Sequence, residues 1–585
     1  MKDPLGGSLI IDFGRRLGNR IKETARQSIL FGGRRPNAME HSGLVAALNR
    51  VHPVGKTVDA MSQSRILGWL SGYWGSFCAL PMAHLLLLLV PLLGILALRM
   101  LLATRWVTAG GLLILLGLSV LLLTPHASIS DWLSGSLLGK RFHYPVGEKR
   151  RSLSVYLCIC GVLGGLFGWF AGVALGVGVA VALAILPMVF SIPPIAMTCI
   201  LLAVLPLCGT SFCWVLSLFL VVSYFFGRAF GTQQGKPLDG VDLLLMIFPL
   251  FCVVSALFSF DRGDSFKVIF MWLGLFAGVP FLRRIIDRRS RLTASLWALT
   301  AGATASGLYG LFQYLSGTVD TTWTDTALFE ELELRVYSTF ANPNVYGEFL
   351  LMVIPVITGF ALYCKGKKRA LLLAIDLLLL INMVLTYSRG CYVGIALTAL
   401  VFLWHLSKKW TVAAMALGVP LAILAMPESV AARILSIGNM NDTSTNYRIM
   451  IYIGTALMLA HYWLGGVGVG EGAYNAVYPY FALSGVIAPH SHSLFFQAAV
   501  SFGIAGLFYI IAVWMTYQRR MNRAATKASG KDRSLMLGFG AMLWGLMVQS
   551  AFDYTWYNYR VFQLFWIMIV LGFAASEVLK KEDKS

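Results

Sequence analysis

Pro489-His490-Ser491-His492-Ser493-Leu494-Phe495-Phe496-Gln497 opens an apolar run that continues to about residue 516. That run reaches the roughly 18–20 residues needed to cross a hydrocarbon core. The polar stretch it closes, 428–493, is the longest interruption in the hydrophobic half of the chain. A titratable pair at the mouth of a span is costly to keep for packing alone.

Working outward, candidate spans lie near 78–98, 107–124, 154–171, 173–190, 195–209, 212–227, 242–259, 266–282, 292–315, 345–363, 370–387, 390–406, 411–427, 494–516, 534–552 and 561–579. Those between 154 and 227 are short and punctuated by Gly and Pro, so the expected total is about 12–16 transmembrane helices. Unbroken apolar runs exclude a β-barrel. The fold class expected is an all-α, polytopic helical membrane protein. Composition agrees: 57% of the 585 residues are hydrophobic and 13% charged, against about 25% charged in soluble proteins.

The net charge of +20 fits the excess Lys and Arg of cytoplasmic loops. Basic patches interleaved with aromatics, as nucleic acid would need, are absent. The nine cysteines are isolated; Cys158 and Cys160 are the nearest pair and nothing reads C-x-x-C. They read as small buried hydrophobes, with neither disulfides nor a thiolate metal site.

Charge also assigns sides. Arg283–Arg291, Lys365–Arg369, Lys408-Lys409, Arg519–Arg533 and Lys580-Lys581 are basic and alternate with poor or acidic connectors. Within 317–344 stand Asp320, Asp325, Glu330, Glu331 and Glu333 against one Arg. The positive-inside rule places 317–344, the 387–390 turn, 428–493 and 553–560 outside, with both termini cytoplasmic. Residues 1–75 read as a basic cytoplasmic extension, without a cleavable signal, in which 10–29 form an amphipathic basic helix or a loose tail. Residues 76–240 read as an N-terminal transmembrane bundle. Residues 241–580 read as a second transmembrane domain with one large extracytoplasmic loop, 428–493.

Four polar features fall on the outer side. Arg335-Val336-Tyr337-Ser338-Thr339-Phe340-Ala341-Asn342-Pro343-Asn344 ends an acidic loop in a turn. Thr386-Tyr387-Ser388-Arg389-Gly390 sets an arginine at the membrane edge, where a snorkelling role competes with a guanidinium fork for phosphate oxygens. Asn446-Tyr447-Arg448 follows a cap-forming cluster, Asp442 to Thr445, and would place Arg448 in the first turn of a helix over 447–460. A cation there opposes the helix dipole and needs another reason, an anionic ligand or else a packing or surface role. The Gly465–Gly472 run lacks a strand–helix unit, so it reads as a hinge or tight backbone approach rather than a dinucleotide loop. His490 and His492 have no third ligand at metal spacing, so no metal is expected; histidine instead suits a general base. Three arginines and a histidine pair fit glycosyl transfer. The cations would hold a lipid-linked pyrophosphate and the histidine would deprotonate a hydroxyl.

At these residues the chain resembles the O-antigen ligase and O-antigen polymerase superfamily of bacterial membrane glycosyltransferases. The matching pieces are Phe340–Asn344, Ser388-Arg389-Gly390, the Arg448 helix with Gly465–Gly468, His490–Gln497 and Phe502–Leu507, in that order, over about residues 240–580. The resemblance implies a GT-C-like helical fold in the cytoplasmic membrane. It implies metal-independent, inverting transfer from an undecaprenyl-pyrophosphate-linked glycan to a glycan or lipid acceptor, without a cofactor. By that match Arg389 and Arg448 bind pyrophosphate with Arg335 a further candidate, His492 is the base, and His490 supports it. The competing reading is a transporter or flippase of an anionic lipid-linked polysaccharide, but that would set ionisable residues near the midplane rather than at one face.

Overall fold

A computed structural model describes residues 43–51, 53–123, 128–131, 151–231, 233, 235–318, 335–420, 431 and 443–582. The expected basic helix over 10–29, the acidic residues 320–333, and positions 421–430 and 432–442 lie outside the described residues. Among the described residues the regular structure is helical, and the only β pairing is an isolated bridge between Pro81 and Ser128.

Among the described residues eleven helices are long and apolar enough to cross a membrane, and Trp106–Val120 and Pro194–Val204 are shorter apolar helices. The protein is therefore a polytopic all-α membrane protein. Gly366–Leu385 fails that test because Lys367, Lys368, Arg369 and Asp376 interrupt it.

The chain divides into two compact units, one of residues 1–55 with 236–248 and one of 56–235 with 249–585. In the first, Asn49 and Leu238 exchange two hydrogen bonds of 3.0 and 2.8 Å. The second holds every site residue considered below.

Eight helices of the second unit position the site: α1 Arg289–Ser316, α2 Pro343–Tyr363, α3 Gly366–Leu385, α4 Arg389–Leu406, α5 Thr443–Tyr462, α6 Leu494–Lys527, α7 Gly530–Phe552 and α8 Tyr559–Glu582. α2 and α8 are central, with 89% and 94% of their apolar windows buried, against 22% for α4. Lipid tails are as apolar as side chains, so close packing rather than a hydrophobic drive holds such helices together. Small residues make that possible. A Cβ on Gly538 of α7 would meet Pro355 O of α2 at 2.4 Å, and one on Gly545 would meet Gly394 O of α4 at 2.5 Å.

The two ends of the bundle carry different chemistry. At one end several arginines of the basic connectors pair with acids. Arg289 makes a two-pronged pair with Asp532 at 2.8 and 2.7 Å, while Arg283 and Arg520 both reach Glu577 at 2.9 and 2.8 Å. At the other end α2, α4, α6 and α8 begin and α3 and α7 finish. The polar sequence features converge there.

α6 is broken at Gly503, whose φ is 69°. The 463–467 backbone inserts at the break: Ile504 N donates to Trp463 O and Val467 N to Val500 O, both at 2.7 Å. Backbone groups freed inside a span must be satisfied this way. Of the two readings of the glycine run, hinge or tight approach, the tight approach is what forms: a Cβ on Gly466 would stand 2.3 Å from Val500 O.

Candidate active site

Asn342 starts α2. Its side chain accepts from the backbone N–H of Asn344 at 2.9 Å, and Pro343 follows at the first helical position, where its missing N–H costs nothing. Upstream, Val336 N donates to Leu385 O at 2.9 Å, docking the strand-like approach on the end of α3. Arg335 is thereby buried to 8% exposure, with Nε donating to Thr386 O at 3.0 Å and Nη2 to Asn344 Oδ1 at 3.1 Å.

α3 reverses into α4 within three residues because Tyr387 takes a left-handed φ of 50°. Ser388 is then the N-cap and Arg389 the first residue of α4. A cation in a first turn opposes the helix dipole. That argument was expected to apply to Arg448, yet α5 begins at Thr443, so Arg448 lies in its second turn. The misfit belongs to Arg389.

All three predicted arginines meet. Arg335, Arg389 and Arg448 line one recess together with Asn344, Ser388, Gly390, Gln549 and Phe552, around about 390 Å³ of space partly open to solvent. Gly390 leaves room for the Gln549 side-chain amide of α7: a Cβ there would stand 2.0 Å from Gln549 Oε1. Gln549 Nε2 in turn donates to the buried Glu348 at 3.3 Å.

The histidine loop is held from three directions. Ser491 N donates to Gln497 Oε1 at 2.9 Å, Ser491 Oγ to Ser493 O at 3.0 Å, and Tyr452 Oη to His492 O at 3.1 Å. His492 itself has φ 50°, an uncommon conformation for a residue with a Cβ. Its backbone N–H donates to His490 Nδ1 at 3.2 Å, so that nitrogen carries a lone pair. The two imidazole centroids are 4.3 Å apart.

Asp553, at the C-cap of α7, joins the two groups. Its Oδ1 is 3.5 Å from His492 Nδ1 and its Oδ2 is 3.8 Å from Arg448 Nη2 and 3.4 Å from Asn344 Nδ2. The 3.5 Å approach is too long for a formed hydrogen bond, and catalytic contacts of this kind shorten when substrate binds. Burial pushes the Asp553 carboxyl up, but His492 and the Arg448 guanidinium outweigh it and hold the group well below the usual carboxylate range. His490 is also pushed down, to about 3: burial first, then His492, with Asp553 pulling against them and Arg448 adding a smaller push. His490 is thus neutral at working pH. The imidazole that faces a carboxylate is His492.

Asp553 and Gln549 were not singled out from sequence, and Asn344 only as part of the Asn-Pro-Asn turn. A weak signal existed for Asp553, a lone carboxylate at the end of an apolar span. Among the described residues no group of three or more His, Cys, Asp or Glu is placed to hold a metal ion. The arrangement can bind an anion through three guanidinium groups and accept a proton at an imidazole a short distance away.

A model of the family described as O-antigen ligase matches residues 374–511, a segment that includes Arg389, Arg448, His490 and His492. No curated protein matches the chain.

Proposed function

We propose that this chain, whose residues 374–511 match a model of the family described as O-antigen ligase, is a membrane glycan ligase or polymerase that transfers glycan from an undecaprenyl-pyrophosphate carrier to a hydroxyl acceptor. The reaction takes place at the outer face of the cytoplasmic membrane. The observation that carries this reading is the convergence of Arg335, Arg389 and Arg448 on one recess, with Asp553 linking Arg448 to His492.

The pyrophosphate of the donor binds the guanidinium groups, which offer paired donors and keep their charge. His492 takes the proton of the acceptor hydroxyl. With Nδ1 turned to Asp553, Nε2 is the nitrogen left for that proton. The acceptor oxygen attacks the anomeric carbon from the side opposite the pyrophosphate, forming the new glycosidic C–O bond. The old anomeric C–O bond breaks, and its electron pair leaves with the polyprenyl pyrophosphate. The arginines stabilise the charge that develops there, while Asp553 stabilises the imidazolium. One displacement inverts the anomeric configuration and calls for no divalent metal. Placement of the site outside rests on the basic connectors gathered at the opposite end of the bundle.

The test is transfer by the purified full-length protein from a lipid-pyrophosphate-linked glycan in the presence of EDTA. Wild type transfers, while Arg389→Ala and His492→Ala do not, although both insert and fold. Full activity in either variant, or loss in EDTA reversed by one cation, sinks the proposal.

A further inference from the structure

Gln549 lies one turn before Asp553 on α7, on the wall of the arginine recess, and is 3% exposed. Its amide is half satisfied. Nε2 donates to Glu348 Oε1 at 3.3 Å, while Oε1 is buried without a hydrogen-bond partner among the described residues. That oxygen points at Gly390, where a Cβ would stand 2.0 Å from it. A bare acceptor thus faces the space that three arginines make attractive to anions. Glu348, in the second turn of α2, is 2% exposed, and Gln549 is its one hydrogen-bond partner among the described residues. The charged or titratable groups that act on it are Asp553 at the end of α7, Arg448 on α5 and the Cys391 thiol on α4.

Two carboxyl groups therefore stand beside one anion site, and their partners differ. Asp553 has Arg448 and His492 against its oxygens, whereas Glu348 has an amide. When an anion enters, the acid without a cation against it is the one that carries a proton. A neutral carboxyl donates as well as accepts. With the Gln549 amide turned about its last torsion, the Glu348 O–H donates to Oε1 and Nε2 faces the recess. That single turn satisfies the orphaned acceptor and sets an N–H where an oxygen would repel a phosphate. We propose that Gln549 is a direct ligand of the donor's pyrophosphate, and that Glu348 is a positioning residue that holds the amide in this orientation by carrying a proton.

This proposal rests on the reading of the recess as a pyrophosphate site, and the experiment separates the two. Full-length protein in lipid nanodiscs is titrated with farnesyl pyrophosphate at neutral pH, and melting curves establish that each variant folds. Gln549→Met keeps the bulk of the side chain and loses the donor, so its affinity falls about ten- to hundredfold, the worth of one hydrogen bond to a charged group. Glu348→Gln gives Gln549 Oε1 a permanent N–H donor and binds as wild type does, whereas Glu348→Ala binds more weakly. In infrared difference spectra the ligand-bound wild type shows the C=O band of a protonated carboxyl, and Glu348→Gln lacks it. Wild-type affinity in Gln549→Met, Glu348→Gln binding as poorly as Glu348→Ala, or absence of that band overturns the proposal while leaving the pyrophosphate site in place. No binding by wild type removes the pyrophosphate site itself, and this proposal with it.

Discussion

Asp553 Oδ1 lies 3.5 Å from His492 Nδ1, while the other oxygen of the same carboxylate faces Arg448 at 3.8 Å. One side chain therefore orients the candidate base and steadies one of the candidate pyrophosphate ligands. Asp553→Asn keeps the shape but removes the charge that stabilises an imidazolium. Its kcat is expected to fall by about 10²-fold or more, the low end of what a positioned base contributes, with a smaller change in acceptor KM. Steady-state kinetics of the variant check this; a kcat within a few-fold of wild type would show that Asp553 does not act through His492.

Gly390 sits where any side chain would strike the recess floor. A methyl there would lie 2.0 Å from Gln549 Oε1, and Gln549 is tied to Glu348 at 3.3 Å. Gly390→Ala is expected to cost about 1–3 kcal/mol through overpacking and to weaken donor binding. In a Gln549→Ala background the same change meets little, so the two substitutions should couple strongly in a double-mutant cycle. Additive losses of stability would place the obstruction elsewhere.

Much of the site was legible because its residues break rules of their surroundings. Arginines on the connectors assigned outside run against the positive-inside trend, and a His-x-His at the mouth of a span has no packing use. Asn342-Pro343-Asn344 reads as a turn and becomes a helix start. Asp553 was harder to see because a single acid after an apolar helix looks like an ordinary cap, and only the return of α7 beside the 489–493 loop gives it partners. Boundaries were less legible than elements. α5 starts four residues before the expected 447, and α6 runs to Lys527 rather than about 516, its basic end continuing as helix beyond a membrane-length run. The break at Gly503 depends on the distant 463–467 segment entering it, a long-range backbone pairing that no local pattern records.

Acid is expected to destabilise the folded protein through His490 first. Its folded value is pushed down to about 3, against about 6.5 in an unfolded chain. Between those values the unfolded chain binds a proton that the folded one refuses, so stability rises with pH, by up to about 1.4 kcal/mol per unit. The contribution is full above about 6.5 and is lost as pH falls. His492, Asp553 and Arg448 are the charged or titratable neighbours that act on it. Asp553, depressed in the fold, adds a loss of the same sign below its unfolded value of about 3.9. The melting temperature of the detergent-solubilised protein across pH 4–8 tests this. His490→Asn keeps an acceptor for the His492 N–H and should flatten the slope above pH 4; an unchanged slope would assign the acid sensitivity to other groups.

The three arginines should separate by readout. Arg335 is buried, and its Nε and Nη2 hold Thr386 O and Asn344 Oδ1. Arg335→Ala leaves those buried acceptors short of a charged donor, so stability is expected to drop by about 1–3 kcal/mol along with activity. Arg448, with a side chain 26% exposed and one contact to Asp553 at 3.8 Å, carries less of the fold. Arg389 stands at the first position of α4, where its charge works against the helix dipole, so its place there points to the recess and is read by donor binding. Both Arg389→Ala and Arg448→Ala should weaken donor binding, and lysine at either position should restore it only partly, because an ammonium lacks the planar fork. Paired melting curves and donor-binding isotherms distinguish these roles. Donor affinity unchanged in Arg389→Ala would remove that residue from the anion site and leave the recess to Arg335 and Arg448.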